Sequence, residues 1–200
     1  MVAKLILASS SPARKTLLAN AGIDFDSITS HVDEEALVEA VRPATVEAMV
    51  QLLAQAKAEK VAETLSTGLV LGCDSALEFE GEALGKPLYP DIATTRWHRM
   101  SGKSGILHTG HFLIDLTSGR SESAVSSTTV HFAKLSQEEI AGYVATEEPL
   151  QVAGAFTIDS LGGPYVERIE GDYHTVVGLS LVKLRQMVMK LGYEYQSLWR

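Results

Sequence analysis

Short continuous apolar runs alternate along this chain with stripes of helical period, and that alternation predicts an α/β fold. KLILASSSPARKTLL, from Lys4 to Leu18, reads as a short strand, a serine-rich turn and a helix that opens at Pro12. Gly22 follows as a C-cap, and Phe25 to Thr29 is a second short strand. From Thr45 to about Leu65 the period is helical, with Val46, Val50, Leu53 and Val61 on one face. Gly68 to Phe79 begins as a fully apolar run, the pattern of a strand buried on both faces. A hairpin turn at Gly81 leads back through Gly85-Lys86-Pro87, and Pro90 and Asp91 open a helix that closes at Gly102. Ser104 to Leu116 and Ser123 to Phe132 pair as antiparallel strands about a turn at Gly119. Ser136 and Glu139 form a capping box before Ile140, Tyr143 and Val144. A glycine-rich segment from Val152 to Ser180 precedes a last amphipathic helix, Leu181 to Leu191, ended by Gly192. Strands alternate with helices while hairpins add antiparallel pairs, so the expected sheet is mixed. No repeat or low-complexity linker divides the 200 residues, and residues 1–200 are expected to form a single domain.

Composition adds exclusions. The chain is 46% hydrophobic and 21% charged, ordinary for a soluble globular protein. A net charge of -8 argues against nonspecific binding to nucleic acid or to anionic membranes, so neither a nucleic-acid polymer nor a membrane is expected as partner. The same charge means that a phosphate ligand needs local cations or a metal. Cys73 is the only cysteine and can form no internal disulfide, and the N-terminal apolar run is too short for a signal peptide. Both point to a cytoplasmic protein.

Four stretches carry candidate chemistry. At the first helix, hydroxyls, exposed backbone N–H groups and the cations Arg14 and Lys15 would suit a phosphate; Ser11 as N-cap with Pro12 at N1 explains part of the same pattern. Asp33, Glu34 and Glu35 stand together either as a solvated turn or helix start, or as hard oxygen donors for a divalent cation. Lys57 falls on the apolar stripe between Leu53 and Val61, so its ammonium must snorkel out or meet an anion. Asp74 ends the apolar run of its strand, well placed for chemistry or metal binding, unless it only bonds a neighbouring turn. Lys86, framed by Gly and Pro, is either a ligand contact or an exposed turn residue.

Other signals fail. Gly102-Lys103-Ser104 resembles the end of a Walker loop, but Trp97 stands where its first Gly is needed. No G-x-G-x-x-G is present. His108-Thr109-Gly110-His111 matches the H-x-G-H of nucleotidylyltransferases, yet it lies in an alternating strand where the two imidazoles take opposite sides.

The remaining set is S-x-S-P-x-R-K at the N-terminus, V-D-E-E, the segment around Lys57, G-C-D-S around Asp74, L-G-K-P around Lys86, and AGYVATEEPL, AGAFTI and GDYHTVVGL later. In this order and spacing, from Leu5 to about Leu191, the chain resembles the Maf family of nucleoside triphosphate pyrophosphatases. The resemblance implies a long mixed β-sheet with flanking helices, two lobes around a cleft as in inosine triphosphatases, and a homodimer. It implies hydrolysis of a nucleoside triphosphate between the α and β phosphates with a divalent cation, Mg or Mn. It makes Asp74 the proton acceptor for water, Glu34 a metal ligand with Asp74 sharing the metal, and Ser9, Ser11, Arg14, Lys57 and Lys86 the residues that gather the triphosphate.

Departures bear on the base. The family motif reads S-x-S-P-R-R, and Ala13 replaces its first Arg. The branch acting on dTTP and UTP joins that Arg to a Thr and a Gln at positions that here hold Ser75 and Asp159; the 7-methyl-GTP branch has Trp at the Ala13 position. The chain has the specificity set of neither. Gly105 and Ser180 also stand where His and Pro are commoner, which reads as structural drift. A role in clearing noncanonical nucleotides follows from the resemblance, against the alternative of a nucleotide-binding regulator of cell division with little turnover.

Overall fold

The computed structural model describes residues 4–200. Its elements, in order, are β1 (Leu5–Leu7), α1 (Pro12–Asn20), β2 (Phe25–Ser27), α2 (Glu34–Val41), α3 (Val46–Ala62), β3 (Leu69–Phe79), β4 (Glu82–Leu84) and α4 (Pro90–Met100). They continue with β5 (Ser104–Asp115), β6 (Ser121–Phe132), α5 (Gln137–Ala145), β7 (Val166–Glu170), α6 (Tyr173–Val177) and α7 (Leu181–Lys190). The strands form a seven-stranded sheet in the order β2-β1-β3-β5-β6-β7, with β4 also paired to β3. β1 pairs in parallel with β2 and β3, whereas β4 on β3 and β7 on β6 are antiparallel, so the sheet is mixed, as the sequence pattern predicts. No helix among the described residues is long and apolar enough to cross a membrane.

The chain divides into two compact units. The first comprises the residues up to Asp74, Thr109–Ser126 and Gly178–Arg200; the second comprises Ser75–His108 and Ser127–Val177.

In the first unit, α3 is the helix that matters for the site. Thr45 Oγ1 caps it by accepting the N–H of Ala48 at 3.1 Å. Ala58 and Val61 of α3 pack with Ile6, Ala8 and Val70, and with Phe112 and Ile114. The approach to the sheet is unusually close, because two glycines supply the room. A Cβ at Gly72 would lie 2.0 Å from the Ala54 carbonyl oxygen, and one at Gly110 would lie 2.4 Å from that of Val50. The backbone of α3 therefore rests directly on β3 and β5.

The second unit is built around Trp97 of α4. Its ring meets Phe132, Tyr143 and Tyr165 edge to face at 5.6 to 5.9 Å, and its Nε1 donates to the Ala155 carbonyl at 2.8 Å. The capping box opening α5 is present in both halves, Glu139 N–H to Ser136 Oγ and Ser136 N–H to Glu139 Oε2.

Of the readings open for the acidic run before Pro43, the structure has the start of a helix, α2, with Asp33 as its N-cap. β3 runs on past the apolar run to Phe79, just before the turn at Gly81 that the sequence predicts. The glycine-rich late segment contains a strand, β7, whose Ile169 lies opposite Val130 of β6.

Gly72→Ala is expected to lower the stability of the protein by about 3 kcal/mol, since the added methyl would collide with rigid helix backbone. Urea unfolding followed by circular dichroism measures it, and an unchanged midpoint would contradict the close packing of α3.

Candidate active site

The first unit gathers six of the sequence-predicted residues: Ser9, Ser11, Arg14, Glu34, Lys57 and Asp74. β1 ends at Leu7, paired with Leu71, and the chain turns through three serines into α1. Ser11 is the N-cap, its Oγ accepting the N–H of Arg14 at 3.4 Å, with Pro12 in the first turn. That part of the pattern is capping. The rest is not: Ser9 Oγ accepts both the Ser11 N–H and Nη1 of Arg14, each at 3.2 Å. Arg14 is buried, and its Nε donates to the Gly178 carbonyl at 2.7 Å. Its Nε and Nη1 are thus fixed before any ligand arrives.

Lys57 does not snorkel. Its Nζ lies 2.6 Å from Asp74 Oδ1 and 2.8 Å from Glu34 Oε1. The Lys57 and Asp74 side chains are 11% and 12% exposed, against 47% for Glu34, so one partner is enclosed with the ammonium and the other approaches from the solvent side. The three carboxylates of the acidic run have separate fates. Asp33 caps α2, Glu34 meets Lys57, and Glu35 is exposed.

Burial pushes the Asp74 carboxyl above the usual aspartate range; Lys57 and Arg14 oppose the rise, and the Glu34 charge adds to it. Its place on the strand differs from the sequence expectation, since β3 runs on for five residues. Yet the parallel pairing of β1 with β3 stops at Leu71, so Asp74 stands beyond the carboxyl end of the parallel part of the sheet, where such acids are well placed for ligands. Next to it, the Cys73 thiol is fully buried and pushed up to about 12 by that burial, which removes it as a nucleophile.

No group of three or more His, Cys, Asp or Glu side chains suited to a metal ion occurs among the described residues. The pair Asp74 and Glu34 does fit a small hard cation of the magnesium type, which takes one or two carboxylates and completes its shell with water and phosphate oxygens. With Lys57 bonded to Asp74 Oδ1 and Glu34 Oε1, the donors for such a cation are the other carboxylate oxygens.

Lys86, Ser75 and Asp159 belong to the second unit. Lys86 is exposed on a tethered loop: the Gly85 carbonyl accepts from Arg96 Nη1 at 2.6 Å and from the Gly154 N–H at 3.2 Å, and the Leu88 N–H donates to Leu150. Ser75 is half-buried in β3. Asp159 is exposed on a loop gripped by Glu148, which accepts from Thr157 Oγ1 at 2.6 Å, from the Gly162 N–H at 3.1 Å and from the Leu161 N–H at 3.3 Å. Burial alone would raise the Glu148 carboxyl; these hydrogen bonds bring it below the ordinary glutamate value. Ala13, on α1, is half-buried.

Sequence reasoning missed the Gly178 carbonyl as a partner of Arg14. A backbone acceptor leaves no mark in residue types.

Comparison with known proteins bears on this cluster. A family model described as Maf-like protein matches residues 4–191. A protein of Salinispora tropica named nucleoside triphosphate pyrophosphatase is 53% identical over 98% of this chain and 87% of its own length. One of Leifsonia xyli subsp. xyli with the same name is 50% identical over 98% and 96%, and one of Gloeothece citriformis is 45% identical over the full length of both.

Lys57→Met should destabilise the protein by about 3 kcal/mol at neutral pH, because it strands a buried carboxylate. A carboxyl whose folded-state pKa exceeds its unfolded value is stabilised by protonation, so this deficit should shrink as pH falls through the raised Asp74 value. Unfolding curves across pH 4 to 8 read both effects; a deficit independent of pH would contradict the pairing.

Proposed function

Because this chain belongs to the Maf-like protein family, we propose that it hydrolyses nucleoside triphosphates to the monophosphate and pyrophosphate. The observation that carries the reading is a desolvated acid, Asp74, fixed by Lys57 at 2.6 Å beside a helix start that holds Arg14 and two serine hydroxyls.

Asp74 acts as general base. Lys57 bonds Oδ1 and orients the carboxylate, and the carboxylate takes the proton of a water whose oxygen attacks the α phosphorus. The bond from the α phosphorus to the bridging oxygen breaks, and pyrophosphate leaves with that oxygen. Desolvation makes the carboxylate a stronger base than a surface aspartate, while the fixed charges of Lys57 and Arg14 favour its ionised form. Arg14, Ser9 and Ser11 bind phosphate oxygens, and preorganised cations of this kind stabilise the charge that develops on the leaving group. The resemblance adds Lys86 to the residues that grip the triphosphate.

Glu34 and Asp74 would hold a magnesium or manganese ion, which supplies Lewis-acid stabilisation of phosphate charge. Its need is electrostatic: in the cluster Lys57 and Arg14 are already matched by Asp74 and Glu34, so a triphosphate brings uncompensated negative charge. Homodimer formation, residence in the cytoplasm and a role in clearing noncanonical nucleotides belong to the same proposal. Ala13, Ser75 and Asp159 are its specificity positions, and their residue types match neither of the two branches described above.

Incubation with a panel of canonical and modified nucleoside triphosphates plus magnesium or manganese, with products separated by ion exchange, tests the reaction. Monophosphate with pyrophosphate supports it. Diphosphate with orthophosphate would overturn the bond assignment, and tight binding without product would favour a regulator over an enzyme. Asp74→Asn should lower kcat by about 10²- to 10⁴-fold without unfolding the protein. The acid limb of the wild-type pH–rate profile should lie above the usual aspartate range, activity falling as pH drops through it, because burial raises the Asp74 pKa.

A further inference from the structure

His111 of β5 is completely buried, and the proposed reaction does not use it. One ring nitrogen, Nδ1, lies 3.2 Å from the Ala124 carbonyl oxygen; the other, Nε2, lies 2.8 Å from the backbone nitrogen of Ser180. A carbonyl can only accept and a backbone N–H can only donate. Nδ1 therefore carries the proton and Nε2 the lone pair, and the ring is a neutral imidazole with a single tautomer.

The Ser180 N–H belongs to the peptide that joins Leu179 to Ser180. The neighbouring peptide, Gly178 to Leu179, offers its carbonyl to Arg14 Nε at 2.7 Å. Gly178 sits at φ 116°, a conformation that side chains rarely allow, so the direction of that carbonyl depends on the turn being held in shape. Leu179 is wholly buried, and Ser180 is the N-cap of α7. Two side chains thus hold adjacent peptides of one turn, His111 from β5 and Arg14 from α1. Arg14 in turn reaches Ser9 Oγ.

We infer that His111 is a positioning residue for Arg14: by holding the Gly178–Ser180 turn, it sets the plane of the guanidinium that receives the triphosphate. The inference rests on Arg14 being a phosphate ligand, as proposed above. Replacing the ring by an apolar one removes its bonds to the Ser180 N–H and the Ala124 carbonyl at a buried site. It also gives Ser180 a reason beyond structural drift, because proline has no N–H to donate to His111.

The test compares steady-state kinetics of Arg14→Ala, His111→Phe and His111→Gln with a turned-over nucleoside triphosphate, at a temperature where circular dichroism shows each variant folded. Arg14→Ala should raise KM by about tenfold or more. His111→Phe should raise KM by about 3- to 10-fold with kcat within about twofold, and His111→Gln, whose amide offers one donor and one acceptor, should return KM to within about twofold of the parent. A raised KM in Arg14→Ala with an unchanged KM in His111→Phe overturns the positioning role and leaves Arg14 a ligand. An unchanged KM in Arg14→Ala overturns the reading of Arg14 itself, and this inference with it. Should the Phe variant fail to fold, Ser180→Ala and Ser180→Pro take its place. Both lose the capping hydroxyl but only the proline loses the N–H, and the Ser180 φ of -74° suits proline. A KM raised in the proline variant alone supports the inference, and equal values overturn it.

Discussion

The contact on which the first unit's chemistry depends is the buried ion pair between Lys57 and Asp74. Removing two opposite charges from water costs several kcal/mol each, and their attraction returns that only when geometry is good and further partners are present. Here the geometry is short and a third group, Glu34, meets the same ammonium from the solvent side. α3 lies so close to β3 and β5 that Gly72 and Gly110 have no room for a side chain, and in that packing Lys57 of α3 meets Asp74 of β3. Packing at two glycines thus sets a distance between two charges. An ion pair is a poor choice for stability alone, since apolar residues of similar volume serve at least as well. Its retention makes sense if the carboxylate has work to do.

Around that pair, cations are distributed over separate elements: Lys57 on α3 and Arg14 on α1. Each is fixed by contacts with its neighbours rather than left to find its place when a ligand arrives. Preorganisation of this kind is what allows charges to stabilise a leaving group without rearranging during the reaction. The turn that His111 and Arg14 hold between them extends the same design one shell outward.

Much of this was legible in the sequence because it showed as a local inconsistency. A lysine on an apolar stripe demands an anion, and Asp74 directly after Leu69-Val70-Leu71-Gly72-Cys73 stands out against its strand. Ser11 and Pro12 announced a cap, and the third feature of that turn, Ser9, proved to serve Arg14. Other parts left no such mark. The acidic run gave no helical stripe because α2 buries none of its residues, so nothing in its apolar pattern separated a helix from a turn. β3 loses its apolar pattern at Asp74, and only backbone pairing with β4 carries it on to Phe79. The Gly178 carbonyl and the tautomer of His111 are matters of backbone direction, and residue types do not encode those.

The reaction proposed for this site is attack on the α phosphorus by a water that Asp74 deprotonates. Hydrolysis of a substrate triphosphate in ¹⁸O-labelled water, with the products read by mass spectrometry, tests it most directly. One labelled oxygen is expected in the nucleoside monophosphate and none in pyrophosphate. Label in the pyrophosphate would mean attack at the β phosphorus and would contradict it.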